Sequence, residues 1–306
     1  MSPERLHPNA VQNRRLRRLA ALEKAPYRVP VNFSIVGVQK AATSTIYMML
    51  GAHKMIARGP EKEMRLFMME QLDWERPDFS DYVRPARSPQ QTMAGDATPE
   101  YLFWPHALER MRAYNPDLPL IATFRDPVER AFSQWSMQRS RDPEFPDVPE
   151  TIERWADPEL PLDIPEGLSP YELRRRSLYT RGLYGQQLER GLGLFPREKW
   201  LLLDLREIAT DPEGVLDRVT DHLSLPRFER YPERLHRNQT PTSNEGAAPS
   251  VEHIQRLVDV YADDLSRFAE LSGLDVSGWS TVKVLDGRMS VADFRDRLVG
   301  KLGLTG

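Results

Sequence analysis

The residues best equipped for chemistry begin at Gly37. The run Gly37-Val38-Gln39-Lys40-Ala41-Ala42-Thr43-Ser44-Thr45 follows the apolar Phe33-Ser34-Ile35-Val36 and precedes Ile46-Tyr47-Met48-Met49-Leu50. That order reads as strand, loop, helix. A loop entering a helix offers main-chain N–H groups that have no intrahelical partner, and the helix dipole adds attraction for an anion. Ala41 and Ala42 let a ligand come close to the backbone, Thr43, Ser44 and Thr45 add hydroxyl donors, and Lys40 adds a mobile positive charge. This is the chemistry of a phosphate cradle. A nucleoside-triphosphate loop of the form G-x-x-x-x-G-K-[ST] sets its lysine directly before the helix hydroxyl, whereas Lys40 stands three residues after Gly37 with no second glycine in the loop.

A second anion site is legible further on. Leu120-Ile121-Ala122-Thr123-Phe124 reads as a strand that ends at Arg125, and Asp126-Pro127 caps and opens a helix. Arg125 carries a forked donor and Ser133, two turns into that helix, a hydroxyl; together they suit a phosphate. Arg130 reads as either a phosphate contact or a structural ion pair. Between the two sites lies Lys62-Glu63-Met64-Arg65, where Glu63 can take a proton, or where Glu61, Lys62 and Glu63 form only a solvated charge cluster. Asp96, at the end of a strand and expected to point into the cleft, is a second candidate for the base or an orienting residue.

These groups need a scaffold. Buried strands are expected at 33–37, 92–96, 118–124 and 200–205, and helices at 11–23, 127–139, 181–194, 212–223 and 251–272. Strands alternating with helices give an α/β class with a central parallel sheet flanked by helices. One domain over 1–306 is expected, with a helical arm at 1–30, a lid or acceptor-site insertion at 141–176, and a tail after Gly273 that reads as a strand and a helix. The 306 residues carry a formal net charge of −3, which implies no field for nucleic acid. There is no cysteine, and the 6 histidines are dispersed, so no catalytic metal is expected. The first thirty residues are basic without the apolar core of a signal peptide, and no run has the length of a membrane span. A cytoplasmic protein without stable membrane insertion is the expectation; the oligomeric state stays open.

From about residue 32 to 272 the sequence resembles the sulfotransferases that use 3′-phosphoadenosine 5′-phosphosulfate (PAPS), in particular the heparan-sulfate branch and its bacterial relatives. The family loop G-x-x-K-x-x-T/S is matched by Gly37, Lys40, Thr43 and Ser44, and R-D-P-x-x-R-x-x-S by Arg125 to Ser133. Lys62-Glu63-Met64-Arg65-Leu66-Phe67 is similar to K-E-x-H-F-F, with Arg65 in place of histidine, and Asp96-Ala97-Thr98-Pro99-Glu100-Tyr101-Leu102 is similar to E-K-S-P-x-Y-F, with Ala97 in place of lysine. The resemblance implies a P-loop-like sulfotransferase fold and sulfuryl transfer from PAPS to a hydroxyl of a sugar, lipid or small natural product. It further implies Glu63 as general base, Lys40 on the sulfuryl or bridging oxygen, the loop from Lys40 to Thr45 on the 5′-phosphate, and Arg125 with Ser133 on the 3′-phosphate. Residues 237–249 stand where relatives often have a closing loop K-G-R-x-x-P; that triad is missing, and Ser243, Asn244 and Arg237 are the candidates there. Arg65, Glu100 and His106 are the candidates for the acceptor side. Two other readings remain: a divergent P-loop kinase using ATP with Mg²⁺, and a nucleotide-binding module without catalysis.

Overall fold

The computed structural model describes residues 8–157, 169–233 and 245–304. Contacts divide the chain into two compact units that alternate in sequence, Leu6–Phe124 with Gly191–Arg237, and Arg125–Arg190 with Asn238–Gly306.

The unit that starts at Leu6 is built on a five-stranded sheet. Its strands are β2 (Phe33–Gly37), β3 (Ile56–Ala57), β5 (Met93–Asp96), β6 (Leu120–Phe124) and β7 (Trp200–Asp204), in the spatial order β3-β5-β2-β6-β7. Every pairing in it is parallel. Two further strands, β1 (Tyr27–Pro30) and β4 (Val83–Ala86), pair antiparallel. Every residue of β2 and β6 is buried, as parallel strands covered on both faces require. Phe33, Ile35, Ile121 and Leu203 from the sheet pack with Ile46, Met49 and Leu50 of the helix Thr43–Leu50 and with Val215, Leu216 and Val219 of the helix Pro212–His222. Gly95 is glycine for lack of room: a Cβ there would lie 2.3 Å from the Phe33 ring. The helix Pro8–Lys24 covers the stretch expected as an N-terminal helix.

The unit that starts at Arg125 is helical. Its helices include Pro127–Arg141, Val148–Trp155, Pro170–Arg176, Val251–Ser272, Ser280–Leu285 and Val291–Leu302. Asp126 is the N-cap of the first, accepting from Glu129 N at 3.0 Å, and it also accepts from Thr281 N at 2.7 Å, which pins the helix Ser280–Leu285 to it. Trp279 stacks on Phe268 with ring centroids 5.8 Å apart. The tail expected as a strand and a helix is therefore two helices. Ser290 caps the second, and Phe294, Leu298 and Leu302 recur at helical spacing on its buried face, a pattern that no strand shares. Of the segment 141–176, helices form at Val148–Trp155 and Pro170–Arg176, and 158–168 lie outside the described residues.

Candidate functional site

The strand β2 delivers the loop. Its last residue, Gly37, approaches Leu102 so closely that a Cβ would sit 3.1 Å from the Leu102 Cβ. Thr123, on the neighbouring β6, braces the loop from beneath: its carbonyl accepts from Val38 N at 2.8 Å, and its hydroxyl donates to the carbonyls of Gly37 and Ala41. Lys40 and Ala42 both take left-handed backbone, with φ of 75° and 65°, an uncommon state for residues with a Cβ. The turn they make runs directly into the helix Thr43–Leu50, whose N-cap Ala42 makes no side-chain capping bond. The start of this helix is thus left to main-chain N–H groups and to the hydroxyls of Thr43, Ser44 and Thr45.

Lys62 reaches this loop across the sequence. Its ammonium donates to Ser44 Oγ at 3.1 Å and Thr43 Oγ1 at 3.3 Å, and lies 3.4 Å from Glu63 Oε1. Burial pushes the Lys62 ammonium below the usual lysine range, against the opposing pull of Glu63 and Asp96. Arg65 grips the other oxygen of Glu63, with Nε at 3.1 Å and a terminal nitrogen at 2.6 Å. Burial works against the Arg65 charge, but Glu100 and Glu63 outweigh it and hold the guanidinium above its usual range. Glu63 therefore sits between two cations, one of which also touches the loop. The solvated-cluster alternative for Lys62 and Glu63 fails on this geometry: their side chains are only 18% and 24% exposed.

The segment that carries Lys62 and Glu63 is braced by buried groups. Arg84, fully buried, donates to the carbonyls of Glu61 at 2.7 Å, Lys62 at 3.1 Å and Gly95 at 3.0 Å. Asp96 is fully buried as well. It accepts from Met64 N at 3.1 Å, Thr98 Oγ1 at 2.8 Å, Tyr82 Oη at 2.9 Å and Tyr101 Oη at 2.6 Å. Burial and the adjacent Asp96 push both tyrosine hydroxyls well above their usual range, so they stay protonated donors. The sequence offered Asp96 as a base or an orienting residue; with no exposed edge and four donors in place it is arranged to orient the turn after Glu63.

Glu100 is also buried, near enough to act on Arg65, and His106 is exposed at the N-terminus of the helix Ala107–Tyr114. Asp204 caps the helix Leu205–Thr210 by accepting from Arg206 N at 2.7 Å.

In the unit that starts at Arg125, the motif residues line a small depression with Glu129, Phe132, Leu298, Lys301 and Leu302. Arg125 pairs with Glu129 at 3.1 Å, and Ser133 lines the same depression while only 4% exposed. Arg130 is fully buried and bonded to two neutral groups, Gln134 Oε1 at 2.5 Å and the Leu178 carbonyl, where the sequence offered a phosphate contact or an ion pair. Ser243, Asn244 and Arg237 lie outside the described residues. Among the described residues no group of three His, Asp or Glu is placed to hold a metal, and no helix is long and apolar enough to cross a membrane.

Sequence reasoning missed the place of Lys62 and the bracing by Arg84, Tyr82 and Tyr101. The only signal for Lys62 was its position beside Glu63. Nothing local marks Arg84, whose partners lie 11 to 23 residues away.

The fold defines a class. A crystal structure of a sulfotransferase from Alicyclobacillus acidocaldarius superposes with a TM-score of 0.60 at 24% identity, covering 81% of this chain and 98% of that one. A sulfotransferase from Mycobacterium avium gives a TM-score of 0.50 at 13% identity, covering 88% and 84%. The architecture is the α/β fold of the sulfotransferases. In sequence the chain is similar to heparan sulfate enzymes. It is 30% identical to human heparan sulfate glucosamine 3-O-sulfotransferase 6 over 195 residues, 63% of this chain and 52% of that protein. It is 26% identical to human bifunctional heparan sulfate N-deacetylase/N-sulfotransferase 3 over 247 residues, 75% of this chain and 26% of that protein. The chain thus spans about half the length of the first relative and about a quarter of the second. No family model matches.

Proposed function

We propose that this chain is a sulfotransferase that moves the sulfuryl group of PAPS to a hydroxyl of a carbohydrate acceptor, with Glu63 as the general base. The observation that carries the reading is the bridge made by Lys62, which touches the loop hydroxyls at 3.1 and 3.3 Å and the Glu63 carboxylate at 3.4 Å. It sets a proton acceptor one side chain away from an anion cradle. The heparan sulfate relatives support the choice of a sugar as acceptor.

In the reaction, Glu63 takes the proton of the acceptor hydroxyl as its oxygen attacks sulfur. The new S–O bond forms in line with the S–O bond to the 5′-phosphate, which breaks, and adenosine 3′,5′-bisphosphate leaves with the electron pair. As in phosphoryl transfer, most of the work is positioning and charge stabilisation. Lys40, Lys62 and the loop N–H groups meet the charge that grows on the bridging oxygen and the 5′-phosphate. Arg65, fixed to Glu63 Oε2, holds the base in one orientation and presents a cation beside the acceptor. Arg125 and Ser133 are assigned to the donor's 3′-phosphate by the motif they match.

The test is transfer of labelled sulfate from PAPS to a panel of desulfated glycosaminoglycans, simple sugars and phenols, with Glu63→Gln alongside. Turnover on a sugar that falls at least a hundredfold in Glu63→Gln is expected, in line with the loss of a general base. Full turnover by Glu63→Gln refutes the base, and tighter binding of ATP–Mg²⁺ than of adenosine 3′,5′-bisphosphate refutes the donor and favours a kinase.

A further inference from the structure

Lys62 carries its charge at the end of a flexible four-carbon stem, yet the ammonium stands within 3.3 Å of two loop hydroxyls and 3.4 Å from Glu63. Placing such a group requires its Cα to be fixed first. Each residue has only two soft backbone torsions, so the direction of the Lys62 side chain follows from the two peptide planes that flank its Cα. The plane before it carries the Glu61 carbonyl and the plane after it the Lys62 carbonyl. Arg84, on β4, holds both: Nη1 donates to Glu61 O at 2.7 Å and Nη2 to Lys62 O at 3.1 Å. Lys62 O also accepts from Ala97 N at 3.1 Å, and Arg84 Nε donates to Gly95 O on β5 at 3.0 Å, which ties the grip to the central sheet.

A guanidinium without solvent exposure is costly to bury, and among the described residues all of its hydrogen bonds go to these three main-chain carbonyls. An ammonium in its place lacks the flat fork that holds two successive peptides and a strand at once. Gly59 makes room for the fork: a Cβ there would stand 2.3 Å from Arg84 Nη1. Arg84 is bonded neither to the loop hydroxyls nor to the Glu63 carboxylate, so whatever part it takes in the reaction passes through the residue whose main chain it grips.

We infer that Arg84 is a positioning residue for sulfuryl transfer: by fixing the peptide planes on either side of Lys62 it aims the ammonium at Thr43, Ser44 and Glu63, and Gly59 is the position that admits it. The inference rests on the reading above, in which Lys62 meets the charge that grows on the leaving nucleotide. A charged group displaced by about 1 Å from its working place loses up to about a hundredfold in rate. Loss of Arg84 therefore falls on kcat, and the fall disappears once the Lys62 ammonium is itself removed.

A double-mutant cycle tests this. Release of adenosine 3′,5′-bisphosphate from saturating PAPS is followed for wild type, Arg84→Met, Lys62→Met and the double variant, with desulfated heparan sulfate as the first acceptor and the other members of the panel above after it. Arg84→Met lowers kcat about tenfold or more when Lys62 is present and less than about twofold in the Lys62→Met background. Gly59→Ala keeps every charge and crowds Nη1; it lowers kcat about threefold or more, again only when Lys62 is present, and it carries the test where melting curves show that Arg84→Met does not fold. Equal falls in the two backgrounds, as a residue that merely supports the fold would give, overturn the inference and leave the donor reading standing, as does wild-type turnover by Arg84→Met and Gly59→Ala. Wild-type kcat in Lys62→Met removes the role of Lys62 and the inference with it. A wild-type chain that releases no nucleotide with any acceptor of the panel overturns the sulfotransferase reading and the inference together.

Discussion

Replacing Asp96 by asparagine separates bracing from catalysis. The carboxylate accepts four hydrogen bonds in a site with no exposure to solvent, two at Oδ1 from Met64 N and Thr98 Oγ1 and two at Oδ2 from Tyr82 and Tyr101. An amide keeps one acceptor oxygen and turns the other into a donor. Whichever way it is placed, two of the four donors then face N–H. A hydroxyl can rotate to accept, but its own proton is then buried without a partner, at a cost of about 1–3 kcal/mol for each such group. The two remaining bonds also lose their charge assistance. The sum is about 3–4 kcal/mol, which in a chain of this length lowers the melting temperature by roughly 5–6 °C. Circular dichroism melts and urea titrations of wild type, Asp96→Asn, and Tyr82→Phe measure it, with Tyr82→Phe losing only about 1 kcal/mol because it removes a donor without inverting an acceptor. Since Met64 N follows directly on Glu63, turnover by Asp96→Asn falls together with stability. An Asp96→Asn variant with wild-type stability and no turnover would refute the argument and restore Asp96 as a base.

Other outcomes follow from the same geometry. Lys62→Met lowers kcat about 30-fold or more, a loss of roughly 2 kcal/mol of transition-state stabilisation, while its melting temperature is not lowered, because a cation that burial disfavours has been removed; steady-state release of adenosine 3′,5′-bisphosphate and melting curves check both. Because the Lys62 ammonium titrates below the usual lysine range, the alkaline limb of the pH–rate profile lies below that range, and Lys62→Arg moves it upward. Glu129, held at about 2 against an ordinary 4.5, contributes stability that is complete above the ordinary value and is lost as pH falls towards 2; the loss, up to about 3 kcal/mol, is absent in Glu129→Gln when urea midpoints are followed from pH 6 to pH 2.5. Gly95→Ala forces the Phe33 ring away from a Cβ 2.3 Å distant and destabilises by about 1–3 kcal/mol in urea titration, without touching any donor-loop residue.

The scaffold was open to reading where a period or a cap was strong. The apolar runs that became β2, β5, β6 and β7 are short and buried on both faces, so their residue types alone declared them, and Asp126-Pro127 and Ser250 marked helix starts by their own side chains. The strands β1, β3 and β4 escaped notice because they are brief and two of them carry proline. The tail was misread because its helical face emerges only from Phe294, Leu298 and Leu302 packing inward.

By itself the sequence determined the strand, loop and helix start at 33–50, the loop's difference from a triphosphate loop, and the motif from Arg125 to Ser133. Those are local facts: a strand, a turn and a helix start lie within a few residues, and hydrogen-bond chemistry follows from residue type and spacing. Tertiary structure set the surroundings of the two candidate carboxylates. Glu63 and Asp96 are both acidic residues close to the loop in space, and only packing distinguishes one 24% exposed between two cations from one fully buried under four donors. It also brought Lys62 to the loop hydroxyls and Lys301 to Glu129 across 18 and 172 residues of chain. The charge of a residue is written in the sequence, but the partner that gives the charge its task is set by the three-dimensional fold.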